Sequence, residues 1–136
     1  MDAAAWGLIG VVVGAVLSAG AGSYLGHQKW LRESRMEAYA MLLATTNALV
    51  HETSVFTFPD AERRHDAANR MNEAHSRVMI LAPKTIRVAA DKLMAAASTW
   101  TADPRDQRKE ASYEARFDDL QALARTASVK WRVDRA

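Results

Sequence analysis

The first strong pattern in the chain is an apolar run from Ala3 to Leu25 that contains no charged residue. A helix of 23 residues is long enough to cross a hydrocarbon core of about 30 Å. Its polar side chains, Ser18 and Ser23, can return hydrogen bonds to carbonyls one turn back. Core helices of soluble proteins rarely extend this far without a charge, so the pattern predicts one N-terminal transmembrane helix.

Aromatic residues flank this run, with Trp6 near its start and Tyr24 and Trp30 near its end. Tryptophan and tyrosine are enriched at membrane–water interfaces. Trp6 and Tyr24 are separated by roughly 27 Å of helix at 1.5 Å per residue. We therefore predict that these three rings mark the two interfaces of the membrane.

Basic residues follow the run rather than precede it, at Lys29, Arg32 and Arg35. A cleavable signal peptide is the alternative, because Ala19-Gly20-Ala21 resembles a small-residue cleavage site. Against this alternative, the leading Met1-Asp2 carries no lysine or arginine, which a signal peptide normally has. Positive charge after a span favours retention of that side in the cytoplasm.

The chain is thus predicted to have two parts. Residues 1–26 form an uncleaved single-pass anchor in the plasma membrane, with the N-terminus outside. Residues 27–136 form a cytoplasmic helical domain, and the lipid bilayer is the first expected partner.

Small residues recur at four-residue steps through the span, on a single face of the predicted helix. They are Gly10, Gly14, Ser18, Gly22 and Gly26. Membrane helices gain little from hydrophobic burial against each other, so close backbone approach along such a face favours association. The stripe predicts helix packing within the membrane and a possible homo-oligomer.

After Gly26 the pattern is helical almost throughout, and the prolines at positions 59, 83 and 104 are the expected breaks. Four helical segments follow, over residues 27–56, 60–81, 84–100 and 105–133. No stretch alternates with period two, so no strand is expected. The predicted fold is all-α, with a three- or four-helix antiparallel bundle after the span. Whether the chain kinks or reverses at Pro83 is left open.

Each segment has apolar residues on one face at steps of three and four. The fourth segment shows this most regularly, at Tyr113, Phe117, Leu120, Ala124, Ala127 and Trp131. Alanine dominates the second and third faces, so their core is expected to be thin or closely spaced. Asp60 and Asp103 are expected near helix starts, where carboxylates suit the helix dipole.

Two stretches of the sequence carry a resemblance. The stretch 30–40, WLRESRMEAYA, directly after an N-terminal span, and Leu81-Ala82-Pro83 followed by Ile86, resemble small actinobacterial membrane-anchored helical proteins of uncharacterised function. The resemblance implies the architecture of an anchor and a helical cytoplasmic domain. It implies no activity, cofactor or catalytic residue.

Composition excludes several kinds of chemistry. The chain has no cysteine, which excludes disulfides, Cys-zinc sites and thiol catalysis. All six glycines lie between Gly7 and Gly26, so a glycine-rich phosphate loop has no place in the cytoplasmic part. The sequence predicts no catalytic site, and we expect a non-enzymatic protein.

A metal site is weighed against ordinary surface histidines. Glu62 and His65 have the E-x-x-H spacing of di-iron bundles, but those sites need a second such pair, which the other histidines do not supply. We expect all four histidines to lie on solvated helix surfaces and the chain to bind no metal or other cofactor.

Partners are considered last. The net charge is only +2, and acidic residues are interleaved with Arg63, Arg64 and Arg70, so nucleic-acid binding is not expected. The leading hypothesis is an interaction or scaffolding module that docks an unidentified protein partner at the cytoplasmic face. The alternative is a small oligomeric pore or membrane-perturbing protein that uses the glycine stripe.

Overall fold

The computed structural model describes the backbone of residues 3–55 and 61–133, and the side chains of residue 20 and of residues 22–53 and 61–129. The described backbone forms four α-helices and no strand. They are α1 (Ala3–Val55), α2 (Ala61–Leu81), α3 (Lys84–Ala102) and α4 (Gln107–Val133). The all-α prediction is confirmed for this part of the chain.

The chain divides into two compact units, Met1–Glu33 and Ser34–Ala136. Most side chains of the predicted membrane span, those of residues 3–19, lie outside the described ones. In the part of the chain that the structure describes, no helix is long and apolar enough to cross a membrane. The membrane span therefore stays a prediction.

The chain reverses fully at Pro83. Only Ala82 and Pro83 separate α2 from α3. The imidazole Nε2 of His75 lies 2.8 Å from the carboxylate Oδ1 of Asp91, although a continuous helix would place residues sixteen apart at roughly 24 Å. Ala82 N donates to Val78 O at 2.9 Å, which closes the last turn of α2. The two helices form a tight antiparallel hairpin.

The other neighbouring helices of the second unit are also antiparallel. The rings of Trp100 and Tyr113 stack beside the short connection between α3 and α4, with their centroids 5.7 Å apart. Farther along the same pair, Val88 and Leu123 line a common groove. The bundle part of α1 runs against α2, because Arg35 reaches Leu81 at one end and Glu52 shares a groove with α2 at the other. The predicted bundle has four helices.

Buried residues repeat at steps of three and four in the helices of the bundle. This spacing averages 3.5 residues and is typical of left-handed helix packing with interlocking side chains. The large buried side chains on α1 are Tyr39, Leu42 and Leu49. The buried residues of α2 and α3 are Met71, Ala74, Val78, Ile86, Ala90, Leu93, Ala97 and Trp100. The faces of α2 and α3 are core as predicted, but their alanines alternate with larger side chains.

Two buried positions on α1 are threonines, which the hydrophobic pattern did not predict. Thr46 is fully buried and donates its hydroxyl proton to Leu42 O at 2.6 Å. Thr53 makes the same bond to Leu49 O at 2.8 Å. Burial of a hydroxyl is tolerated when it is hydrogen-bonded, so the buried stripe of α1 continues through both residues.

The start of α4 differs from the prediction. Asp106, not Asp103, supplies the cap, because its Oδ1 accepts a hydrogen bond from the backbone N–H of Arg108 at 2.9 Å. Asp103 follows the end of α3 and accepts from Lys109 Nζ at 3.1 Å. Because α4 begins two residues later than predicted, at Gln107, Pro104 lies in the connection between α3 and α4 and not at the start of the helix. Asp60, the other predicted cap, lies outside the described residues.

Candidate functional site

The glycine stripe is described only at its C-terminal end. Gly10, Gly14 and Ser18 lie outside the described side chains, as does the interfacial residue Trp6. At Gly22 and Gly26, a Cβ atom would meet nothing within 4 Å. Neither position has a positive φ. Packing against the described residues and backbone conformation therefore do not account for these two glycines, each of which costs about 1 kcal/mol relative to alanine in a helix.

The predicted interfacial residues of the first unit are largely exposed. Tyr24 is 64% exposed and Trp30 is 56% exposed. The ring of Trp30 stacks on His27, with 5.8 Å between centroids. Lys29 Nζ lies 3.8 Å from Glu33 Oε1, an exposed pair one turn apart. Arg32 is half-buried.

Arg35 has a structural contact in addition to its predicted role in topology. Its Nε donates to Leu81 O at 2.6 Å in a partly buried bond. Leu81 is the last residue of α2, where carbonyls lack helical partners and the helix dipole favours a cation. Arg35 thus ties the start of the bundle to the end of α2.

A groove between α1 and α2 is the first candidate interaction site. Its volume is about 330 Å³. The floor consists of small side chains, Ala44, Ala48 and Ala67, of which the first two are exposed. Because these side chains end at Cβ, another backbone can approach the two helices closely here.

Charged residues of both signs line the same groove. Glu52 and Asp66 are acidic, and Arg63 and Arg70 are basic. Their charges cancel, so the groove has no net preference for an anion or a cation. A surface with a small-residue floor and mixed charges can receive a helix that carries a narrow apolar stripe between charged flanks.

A second cleft lies at the same end of the bundle, among α1, α2 and α3, with a volume of about 480 Å³. Its walls combine an apolar base at Leu49 and Met71 with polar side chains. The polar group comprises Thr53, Arg64, His65, Asn72, Ser98 and Thr101. Such a surface can form hydrogen bonds with solvent or with a polar chain. Of the Glu62 and His65 pair noted in the sequence, only His65 lines this cleft.

The stacked pair Trp100 and Tyr113 contains the buried polar atoms without partners. Trp100 Nε1 and Tyr113 Oη are buried and have no hydrogen-bond partner among the described residues.

Burial, with a smaller contribution from the carboxylate of Glu114, raises the pKa of Tyr113 to about 12. Burial also raises the pKa of Tyr39, against the opposing effect of Arg35. Both phenols are therefore neutral over the physiological range.

The histidines largely match the predicted surface positions. His27, His51 and His65 are exposed. His75 is the exception, because its side chain is only 21% exposed and bonded to Asp91. His75 and Asp91 each lie eight positions from Pro83. Sequence reasoning could have found the pair if it had assumed a reversal there. Among the described residues, no group of three or more metal-ligating side chains converges.

Comparisons with protein-family models, with curated proteins and with solved structures give no significant match.

Proposed function

We propose that this protein is a single-pass, membrane-anchored interaction module of a bacterial plasma membrane. In this proposal residues 1–26 anchor the chain, and the four-helix bundle docks a helix of a partner protein at the cytoplasmic face. The groove between α1 and α2 is the observation that carries the docking role.

The sequence supports the anchor. Ala3–Leu25 has the length and apolar character of a span, and Lys29, Arg32 and Arg35 follow it. The open space beside Gly22 and Gly26 supports association of spans along the glycine stripe, because these glycines weaken the helix without serving the chain's own packing.

The groove supports docking by a helix rather than turnover of a small molecule. Its lining includes three alanines, and its charged residues carry both signs instead of forming a converging set of reactive groups. The matching partner surface is a helix with small or apolar residues at steps of three and four, flanked by acidic and basic residues. The module acts by binding, without catalysis.

The test is site-specific photo-crosslinking of the full chain in its native membrane. A photoreactive residue at position 48 is expected to give a discrete adduct with the partner. Ala44→Leu fills the floor of the groove, and we expect it to lower the adduct yield about tenfold, equivalent to about 1.4 kcal/mol of binding. Ala44 is exposed, so this substitution leaves the fold intact.

The matched controls lie on α4 at Ala115, which is exposed and outside the groove. A photoreactive residue there should give no discrete adduct, and Ala115→Leu should not change crosslinking at position 48. Equal yields from positions 48 and 115, or indifference to Ala44→Leu, would contradict docking in this groove.

A further inference from the structure

One end of the bundle displays apolar side chains to solvent. Ile80 near the end of α2 is 81% exposed, and Val88 near the start of α3 is 44% exposed. On α4, Leu123 is 37% exposed and Val129 is 57% exposed. Val88 and Leu123 line one shallow groove between α3 and α4. We call this end, comprising residues 34–42, 76–88 and 120–129, the basic end.

The same end has a strong excess of positive charge. It contains one acidic residue, Glu37, and five basic residues: Arg35, Arg77, Lys84, Arg87 and Arg125. The opposite end, comprising residues 47–53, 61–70 and 94–115, has seven acidic and six basic residues. The small net charge of the whole chain thus conceals an asymmetry along the bundle.

Three of the basic side chains are available to an external anion. Lys84, Arg87 and Arg125 are exposed, and none forms an ion pair with another described side chain. Arg77, by contrast, forms an ion pair, because its Nη2 lies 3.5 Å from Oε1 of Glu73. The unpaired cations lie on α3 and α4, the two helices that carry the exposed Val88 and Leu123.

The combination of exposed aliphatic side chains and unpaired cations matches a particular surface. Anionic headgroups attract lysine and arginine, while the acyl boundary accepts small aliphatic side chains. Nucleic acid would be better matched by aromatic stacking or a base-reading element. The exposed large hydrophobic side chains that the structure describes at this end, Ile80, Val88, Leu123 and Val129, are all aliphatic. We propose that the basic end binds the anionic lipid headgroups of the membrane.

This inference rests on the proposed function, because the anchor is what keeps the bundle at the membrane. Ser34, the first residue of the second unit, belongs to the basic end, where Arg35 bonds to Leu81. Only seven residues, 27–33, separate Gly26 from Ser34, so the bundle begins soon after the proposed span in the sequence. Lipid binding by this end would hold the bundle in one orientation at the membrane, and would thereby set the direction in which the docking groove faces the cytoplasm.

The absence of native cysteine allows a direct test with single-cysteine variants of the full chain. Val88→Cys reports on the basic end, and the exposed Ala111→Cys reports on the opposite end. Each variant is placed in vesicles of phosphatidylcholine alone or of an equal mixture with phosphatidylglycerol. The rate of reaction with a water-soluble maleimide is then measured.

We expect the anionic vesicles to slow labelling of Val88→Cys severalfold and to leave Ala111→Cys unchanged. High salt should restore the rate, because it screens exposed charges. Replacing Lys84, Arg87 and Arg125 together by glutamine should abolish the protection. Replacing Arg105 and Arg108 by glutamine, at the opposite end, should preserve it.

The same rate for Val88→Cys in both kinds of vesicle, whether fast or slowed equally in both, would overturn the lipid proposal while leaving the anchor intact. Flotation of the full chain with each kind of vesicle tests the anchor separately. A chain that floats only with anionic vesicles, and is released from them by salt, would support the lipid surface but refute the anchor. A chain that floats with neither kind of vesicle would refute both.

Discussion

Polar groups inside the bundle are accommodated in two different ways. Thr46 and Thr53 are buried, and their hydroxyls are bonded to carbonyls one turn back on α1. Trp100 Nε1 and Tyr113 Oη are buried without a partner among the described residues. An unsatisfied buried hydroxyl costs roughly 1–3 kcal/mol, whereas the aromatic rings that carry these groups gain from their stacking. The Trp100–Tyr113 pair therefore combines favourable packing with an avoidable polar cost.

Tyr113→Phe is expected to raise the free energy of unfolding by about 1 kcal/mol, because it removes the unpaired hydroxyl and keeps the ring. Urea denaturation at neutral pH, followed by circular dichroism, measures this change. Tyr24→Phe is the control, since that ring is exposed and its substitution should change stability little. A loss of stability in Tyr113→Phe would show that the hydroxyl has a bonding partner.

The same substitution should change the alkaline stability profile. Burial raises the pKa of Tyr113 from 10.0 to about 12, so the folded chain keeps a proton that the unfolded chain has released. Its contribution to stability is complete below pH 10 and is lost as the pH rises through about 12. Tyr113→Phe should therefore reduce the loss of unfolding free energy between pH 10 and about 12. An equal loss in the parent and the variant would refute the raised pKa of Tyr113.

Among the elements, the connection between α2 and α3 determines the topology. Because α3 returns along α2 directly after Pro83, the two alanine-rich faces are brought together. The His75–Asp91 contact lies across this hairpin. Asp91 is 54% exposed, and partly exposed pairs of this kind contribute about 0.2–1 kcal/mol.

A double-mutant cycle with His75→Ala and Asp91→Ala tests the reversal. The coupling energy at pH 6 is expected to fall within about 0.2–1 kcal/mol, because the two side chains are in contact. A matched cycle with His75→Ala and the exposed Lys92→Ala should give no coupling, since Lys92 has no described contact with His75. Zero coupling in the first cycle would contradict the hairpin.

The glycine stripe gives a prediction for the membrane segment. If this face packs on another span, Gly14→Ile separates the two backbones and should lose on the order of 1 kcal/mol of association, while Val13→Ile on a different face should change little. A membrane two-hybrid assay on residues 1–30 compares them. Association unaffected by Gly14→Ile would refute packing through the stripe. A parent segment that does not associate would also remove the main support for a pore.

The elements were predictable because their pattern is local. Spacing of apolar residues indicates buried faces, so Tyr113 and Leu120 were correctly assigned to the core, and the prolines identified the breaks near the helix ends. Thr46 escaped prediction because its burial depends on a hydroxyl bond to α1 itself. The α1/α2 groove could not be predicted, since it requires knowing which helices are neighbours and how closely alanine lets them pack.

At the scale of the whole molecule, chemical character varies along the bundle. Exposed aliphatic residues and unpaired cations lie at the end that contains Ser34, and the small-residue groove extends toward the opposite end. The proposed lipid surface and the docking groove would then lie toward opposite ends of the bundle. Net charge alone gives no sign of this asymmetry.

The proposed architecture requires residues 1–26 to cross the membrane and leave the bundle in the cytoplasm. Single cysteines at Asp2 and Ser112 in otherwise native chains are exposed to an impermeant maleimide in intact cells and after lysis. We expect the cysteine at position 2 to react in intact cells, the one at position 112 to react only after lysis, and both chains to stay in alkali-washed membranes. A soluble product, or a mature chain beginning near Gly22, would contradict it.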